Sequence, residues 1–585
     1  MKHLFKGGRR KVAAVMAIAL VASLSQVAPS SAKSDRSGGA ITVGVYNQLL
    51  TTCFSPNASN SALGIMKTVF EGWVEKRSDG KYVPHLASSI TASADFKSWT
   101  FKIRPGVKFH DGTTLDVKTA ITNIQASRGL YYLGAVGAGA PAASVVHTLG
   151  SGIPFGANVA NVTAVSADSF RVDLWEPQVD YLASTYASGR NYVRAGSDFT
   201  NPTQCVTSGK GTGPFKFESV SPTKTVVVKN ANYWRKDKAG DQLPYLNKIT
   251  FQYVNQPSQR VNGLKSGKLD AAQFVSSGEV KQVLSAKALK NVNMIDSGYK
   301  YYPMTVLNTA IEPFNNKNAR LAVAHATDYK TFFNQRQCYK GTCIGEIPTS
   351  VVGKANVGYT RAGFPTYNLA KAKQYVAAYK KETGKNLVFT QPADTSAESQ
   401  ASAKATQQIL KKAGITMNIS TEDTATITAK AFPSPGTGFN PYQAYPTLLF
   451  EGDGVEFTFP FMVRNMFLTP NNRMVAALGG ARSAGGGALL AFGALINPGR
   501  TADAALDAAV FSAWYDTTSG RNAKIRAAMK YYQENAFSIA GTSQTHFTGV
   551  NKKLKGWDTY FLAGGGKGIP MTNAGINYTG LYLEK

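Results

Sequence analysis

The run Trp99-Thr100-Phe101-Lys102-Ile103-Arg104-Pro105-Gly106-Val107-Lys108-Phe109-His110-Asp111-Gly112-Thr113 decides the fold. Trp99, Phe101 and Ile103 alternate with polar neighbours, as a strand with one buried face does. Pro105-Gly106 then reverses the chain, Val107 and Phe109 resume the alternation, and Asp111-Gly112 turns it again, which predicts a hairpin with one apolar face. Arg104, His110 and Asp111 carry the chemistry of catalytic groups. Their place beside two turns instead assigns them to the hairpin surface or to an internal ion pair, so the signature is architectural.

Outward from this run the pattern is mixed α/β. Ile41-Thr42-Val43-Gly44-Val45 reads as a first strand, and Leu63, Met66, Phe70 and Trp73 follow helical spacing behind Asn60 or Ser61 as a cap. Further on, Val226 to Val228 and the alternation Ile249, Phe251, Tyr253 are strands. Between them and Leu269, which returns to a strand, a helix is expected over Ser258 to Lys265, ended by Gly267. Helices are also expected over Asn318–Phe333, Leu369–Glu382 and Ala397–Ala413. Gly384 and Gly414 close the last two, and Ile415, Met417 and Ile419 then alternate as a strand, which makes a helix-then-strand unit of an α/β fold. The Gly- and Ala-rich stretch from Ala476 to Thr501 reads as a loop or loose helix. No repeat of a solenoid or propeller is evident.

The 585 residues are too many for one ordinary core and imply two to four domains or lobes. Lys2, Lys6, Arg9, Arg10 and Lys11 precede an apolar run from Val12 to about Leu24, and Ser30-Ser31-Ala32 offers small residues for cleavage. This is the pattern of a secretory signal peptide, residues 1–32, and the run is short for a membrane span. The first cysteine, Cys53, stands too far from the run for a lipid anchor. Arg9-Arg10 permits twin-arginine as well as Sec export. Without the leader the chain keeps 59 Lys and Arg against 35 Asp and Glu, a net charge of about +24. Lysines scattered singly read as a solvated basic surface, beside which an affinity for anionic envelope surfaces or ligands is the other reading. No nucleic-acid motif occurs, so no nucleic-acid partner is expected. The four cysteines suit disulfides in an oxidising compartment. Cys338 with Cys343, close in sequence in a Gly-containing loop, is the better pair and leaves Cys53 with Cys205, although four cysteines allow three connectivities.

Several blocks together carry a family resemblance. Phe70-Glu71-Gly72-Trp73-Val74-Glu75 leads into Asp79-Gly80-Lys81-Tyr82-Val83-Pro84-His85-Leu86-Ala87, followed by the Trp99–Thr113 run. Gly211-Thr212-Gly213-Pro214-Phe215-Lys216, Asn230 to Trp234, Leu243-Pro244-Tyr245-Leu246-Asn247-Lys248-Ile249, Leu264-Lys265-Ser266-Gly267-Lys268-Leu269-Asp270 and Pro313-Phe314 to Asp328 succeed one another in order. Over most of its length the chain resembles the extracellular solute-binding proteins of family 5, the dipeptide, oligopeptide and nickel binders of ABC importers. The resemblance implies an α/β, two-lobed periplasmic-binding-protein-like fold (class II type) with an inserted third subdomain. It implies lobe I over 40–85, 205–300 and 540–585, the insert over 86–204, and lobe III over 301–539. Tyr299 to Leu307 and Thr545 to Asn551 are the expected hinges.

The resemblance further implies a monomeric secreted binder that closes on a small solute, most readily a peptide, and delivers it to ABC permease subunits in the cell envelope. No cofactor or metal is expected. In the family, ligands are held after the first strand and near a lobe III strand that ends in an Asp-Pro. The matching positions here are Ser59 and Asn60 on one side and Tyr442, Tyr445, Phe450, Glu451 and Asp453 on the other, with Tyr301 at a crossing. No Asp-Pro follows Asp453, so Glu451 or Asp453 would serve as the carboxylate for a cationic group, or would form a solvated turn. The tyrosines would stack on a ligand or complete a core. Other tasks are a family-like sensor or peptide chaperone and, more remotely, a secreted hydrolase. Six scattered histidines without a His-Glu-x-x-His pair give no local zinc signal, Gly211 to Pro214 lacks the ending of a phosphate loop, and no Gly-x-Ser-x-Gly elbow is present.

Overall fold

Three parallel strands set the frame. Ala40–Val45 pairs in parallel with Lys248–Tyr253 on one side and Ala271–Val275 on the other. Parallel strands are covered on both faces, which explains why Ala-Ala-Gln-Phe-Val and Ala-Ile-Thr-Val-Gly-Val read as near-continuous apolar runs. Antiparallel additions complete a seven-stranded sheet in the order Val292–Asp296, His546–Asn551, Ala271–Val275, Ala40–Val45, Lys248–Tyr253, Lys224–Lys229, Phe215–Val220. In this computed structural model the described residues are 36–49, 52, 60–127, 156, 158–186, 189–200, 207–298, 300, 302–431, 440–447, 454–455, 458–463, 497–572 and 575–584. The expected leader and most of the Gly- and Ala-rich stretch lie outside them.

One face of this sheet buries Ile41, Val43, Ile249 and Phe251 with Ile65, Met66 and Val69 of helix Asn60–Val69. Beneath helices Pro257–Ser266 and Ser276–Lys287, the opposite face buries Leu264, Leu269, Phe274, Val283 and Ala286. Gly44 is required here, because a Cβ would stand 2.7 Å from Leu269 Cδ1. Gly267 ends the first helix in the left-handed region at φ 74°, as its position predicts.

A four-stranded antiparallel sheet, Ala87–Ala92, Ser98–Ile103, Ser169–Leu174 and Val159–Ser166, has its own core of Trp73, Trp99, Phe101, Val107, Phe109 and Phe170. Phe101 stacks on Phe170 at 5.1 Å. The hairpin predicted from the alternation does not form. Ser98–Ile103 already has a partner on each edge, Ala87–Ala92 and Ser169–Leu174, so the chain beyond Pro105-Gly106 cannot pair with it. Val107 and Phe109 instead plug the core, and the second turn is closed by a single bridge from Lys108 to Thr114.

The third region has strand Met304–Leu307 between Ala444–Thr447 and Ser538–Ala540, and beside it the parallel pair Val388–Asp394 and Thr416–Glu422. Helices Lys317–Ala326, Leu369–Thr383 and Ala397–Lys411 share one core with Phe389 and Met417. The single helix expected over Asn318–Phe333 is two, Lys317–Ala326 and Tyr329–Gln337. Asp328 breaks it by accepting a hydrogen bond from Thr331 N and so capping the second. Among the described residues no helix is long and apolar enough to cross a membrane.

The family-like blocks converge on one buried carboxylate. Glu71, 5% exposed, accepts hydrogen bonds from His85 Nε2 at 2.8 Å, Thr212 Oγ1 at 2.8 Å, Tyr233 OH at 2.7 Å and Trp234 Nε1 at 2.9 Å. Arg104 donates to the His85 carbonyl at 2.7 Å and lies over the Trp234 ring. His110 donates from Nε2 to the Gly213 carbonyl at 3.0 Å, and Asp111 accepts from Ser197 and Thr113. All three tempting residues therefore bind structure. Burial would raise the Glu71 carboxyl, but His85 and the other donors outweigh it and hold the group below the usual carboxylate range.

This depression makes the clamp sensitive to acid. Because the folded pKa lies below the unfolded value of about 4.3, the stabilisation is full above that pH and fades as pH falls through the folded value. Glu71→Gln should therefore cost roughly 3 kcal/mol in denaturant unfolding at neutral pH. The gap to wild type should narrow in acid. A gap that stays constant on acidification would contradict this role.

Candidate functional site

Open α/β sheets bind ligands at the carboxyl ends of their parallel strands, where loops and backbone groups are free of the ladder. In the seven-stranded sheet that edge carries Tyr46, Tyr253 and Ser276, one each at or just beyond the three parallel strands. Antiparallel strand His546–Asn551 brings its first residue to the same edge, where the Tyr46 and His546 rings meet edge-on at 6.4 Å. Thr545 N donates to Ser276 Oγ, and Ser276 N to the Thr545 carbonyl, each at 2.9 Å.

This edge is polar yet buried. Gln273, Ser276, Arg260 and Thr548 are fully buried, and Arg190 and His546 nearly so. Burial, reinforced by the Arg190 charge, pushes His546 down to about 3 and keeps it neutral. Arg260 is spoken for: it donates to the carbonyls of Val254 and Asn255 and to Glu279 Oε1 at 2.6 Å. Burial raises the Glu279 carboxyl against the opposing pull of Arg260. The pair locks the strand ends.

Past the carboxyl end of Val388–Asp394, which pairs in parallel with Thr416–Glu422, Glu398 accepts a hydrogen bond at 3.0 Å from Ser277 Oγ, just beyond Ala271–Val275. Asp394 lies near Tyr253, whose hydroxyl is raised by burial and then by the Asp394 charge. Strand ends of two different sheets thus confront each other, with arginine on one side and a carboxylate on the other.

Among the described strands two chain crossings join the sheets. Residues 297–303 run from Val292–Asp296 to Met304–Leu307, and 541–545 run from Ser538–Ala540 to His546–Asn551. Most of the expected second hinge, Thr545–Asn551, lies inside the large sheet, where residues 547–550 pair on both edges, and the irregular segment 541–545 precedes them. Glu346 braces both crossings, accepting from Tyr302 OH at 2.9 Å and pairing with Lys300, while its backbone N donates to Ser543 Oγ at 2.6 Å. Those side-chain donors, Lys300 first, hold the Glu346 carboxyl low despite partial burial.

Of the residues expected from sequence, Asn60 opens helix Asn60–Val69 after the chain leaves the first strand. Tyr442 and Tyr445 stack on each other at 6.4 Å and bury against Ile427 and Ala431, and Tyr442 OH donates to Glu422 at 3.0 Å. They form a small core beside the strand ends. Cys338 and Cys343 are joined by a disulfide across a two-residue-strand hairpin that follows Gln337. Ser59, Tyr301, Phe450, Glu451, Asp453, Cys53 and Cys205 lie outside the described residues.

Sequence reasoning missed Tyr46, Arg190, Gln273, Ser276, His546 and Asp394. Tyr46 was reachable, since it directly follows the first predicted strand. The others come from distant segments: strand pairing sets the strands of Gln273 and His546 side by side, whereas Asp394 comes from a second sheet and Arg190 from outside the strands. Among the described residues no group of three or more His, Cys, Asp and Glu side chains could hold a metal ion.

Comparison with known proteins fits this geometry. The family model of bacterial extracellular solute-binding proteins, family 5, middle region, matches residues 81–448. The nickel-binding periplasmic protein of Escherichia coli is 26% identical over 46% of this chain, an alignment that spans only 47% of that relative. The glutathione-binding protein GsiB of Shigella flexneri is 24% identical over 64% of this chain and 68% of its own. A dipeptide-binding protein from Pseudoalteromonas sp. SM9913, solved in complex with Met-Leu, superposes with a TM-score of 0.70 at 17% identity, covering 92% of this chain and 100% of its own, which shows the fold. The chain belongs to the bacterial extracellular solute-binding proteins of family 5.

Proposed function

We propose that this chain is the exported substrate-binding component of an ABC importer, and that it closes two lobes around a peptide or similar small solute and hands it to the membrane permease. The observation that carries this reading is the meeting of strand carboxyl ends from two sheets, tied where Ser277 Oγ donates to Glu398 at 3.0 Å, across a doubly crossed boundary. On this reading lobe I is 40–85, 205–300 and 540–585, the insert is 86–204, and lobe III is 301–539. Crossings at 297–303 and 541–545 would act as the flexure, since a few residues outside the strands can absorb the change in φ and ψ. Residues 1–32 would be removed as a signal peptide, and the mature monomer would work in the periplasm or at the cell surface.

The charges at the edge fit a solute with separated ends. Arg190 on one side would favour a carboxylate, and Asp394 on the other an ammonium. A peptide has both. Two ligands named for the compared proteins, glutathione and Met-Leu, are of that kind, whereas nickel, named for a third, is not, and the aromatic rings of Tyr46 and Tyr253 offer faces between the charges. Ser59, Asn60, Phe450, Glu451 and Asp453 would complete the walls from the segments that follow the first strand and Thr447, with Tyr301 at a crossing and Tyr442 and Tyr445 as backing.

Native mass spectrometry of gently purified protein, followed by calorimetry with the compound it retains and with a peptide library, tests the assignment. A single bound solute that is recovered unchanged is expected. Turnover of the added peptides, or no uptake from any extract, would overturn it. Asp394→Asn should weaken binding of a free-amino peptide about tenfold, a loss of roughly 1.4 kcal/mol, without lowering thermal stability. The same change should leave an N-acetylated peptide unaffected. Equal losses for both peptides would remove Asp394 from amine recognition.

A further inference from the structure

The positive charge of this chain is unevenly spread. Residues 317–412 hold 15 Lys and Arg against 5 Asp and Glu, whereas 413–585 hold 14 against 11. Helices Leu369–Thr383 and Ala397–Lys411 turn Ala372, Tyr379, Ala403 and Leu410 into the core they share with helix Lys317–Ala326, which leaves their other faces to solvent. Those faces are basic. Lys371, Lys373, Lys380, Lys404, Lys411 and Lys412 are all exposed. Lys373 and Lys380, like Lys404 and Lys411, are two helical turns apart and so stand in one stripe on each helix.

Acidic neighbours do not cancel this charge. Glu382 accepts from Asn316 Nδ2 at 2.8 Å and from Asn318 Nδ2 at 2.7 Å, Glu398 is taken by Arg336 and Ser277, and Asp328 caps its own helix. Among the described residues Lys385 pairs with Glu312, but none of the six lysines has a carboxylate within 4.0 Å. Neither helix exposes a large apolar side chain. Any partner of this face is therefore held by charge, without insertion.

We propose that the outer face of helices Leu369–Thr383 and Ala397–Lys411 docks on an anionic phospholipid membrane surface. Lysines suit that partner. A flexible point charge matches a smeared array of headgroups, whereas a single shaped anion would call for the planar fork of arginine. The six lysines are divided between two helices that pack on one core. Attraction to anionic lipid acts within a Debye length and is reversed by salt, so docking would enrich the protein at the membrane without anchoring it.

Flotation of the purified protein with phosphatidylcholine vesicles, with and without phosphatidylglycerol, tests this. At low salt the anionic vesicles should bind at least about tenfold more protein than the neutral ones, and added salt should release it. The combined variant Lys373→Glu, Lys380→Glu, Lys404→Glu and Lys411→Glu should lose that preference while keeping its melting temperature and its solute uptake. As control, Lys265→Glu, Lys268→Glu, Lys552→Glu and Lys553→Glu together remove the same charge from other exposed sites. Equal loss in both variants would reduce the effect to net charge and overturn the proposal. So would binding to soluble polyphosphate with no preference for anionic vesicles.

Discussion

Glu71 places a charge where water cannot solvate it, and everything around it is arranged to supply the missing hydrogen bonds. An isolated buried carboxylate would cost many kcal/mol, so its four donors are obligatory partners. They come from Pro-His-Leu at 84–86, the Gly-Thr-Gly-Pro turn and the Tyr-Trp pair at 233–234, segments up to 163 residues from Glu71. The four-stranded sheet is thereby clamped to the seven-stranded one. Under the proposed function, flexibility is left to the places where no such hub exists.

Those places are the two crossings. Each connects an interior strand of one sheet to a strand of the other, and described residues of both, Tyr302 and Ser543, are braced through Glu346. Under the proposed function this is a mechanical division of labour: rigid sheets hold the binding groups in register, and a solute changes the angle between them. A ligand can shift such an equilibrium only by its preference for the closed form. The buried Arg260–Glu279 pair belongs to the rigid part, while Arg190, His546 and Asp394 stand where the sheets meet.

Much of the fold was legible because its signals are local. The helices at 257–266, 369–383 and 397–411 fell within two residues of expectation, since Gly267, Gly384 and Gly414 adopt the positive φ that only glycine takes easily. The Trp99–Thr113 run shows the limit of the same logic. Its alternation correctly marked which side chains are buried, but which strand pairs with which depends on residues 169–174, some 70 positions away. The break at Asp328 was likewise invisible to periodicity, because a side-chain cap competed with an otherwise continuous helical pattern. The site was less legible still. Tyr46 follows from the end of one strand, but His546 meets it through a strand order that no local pattern encodes, and Asp394 comes from a different sheet.

The central claim, that two lobes close on a solute, is tested most directly by small-angle X-ray scattering of the mature protein before and after its solute is added. Closure predicts a smaller radius of gyration and maximum dimension with solute bound, and a return to the larger values on dialysis. An envelope that stays the same at saturating solute would contradict it.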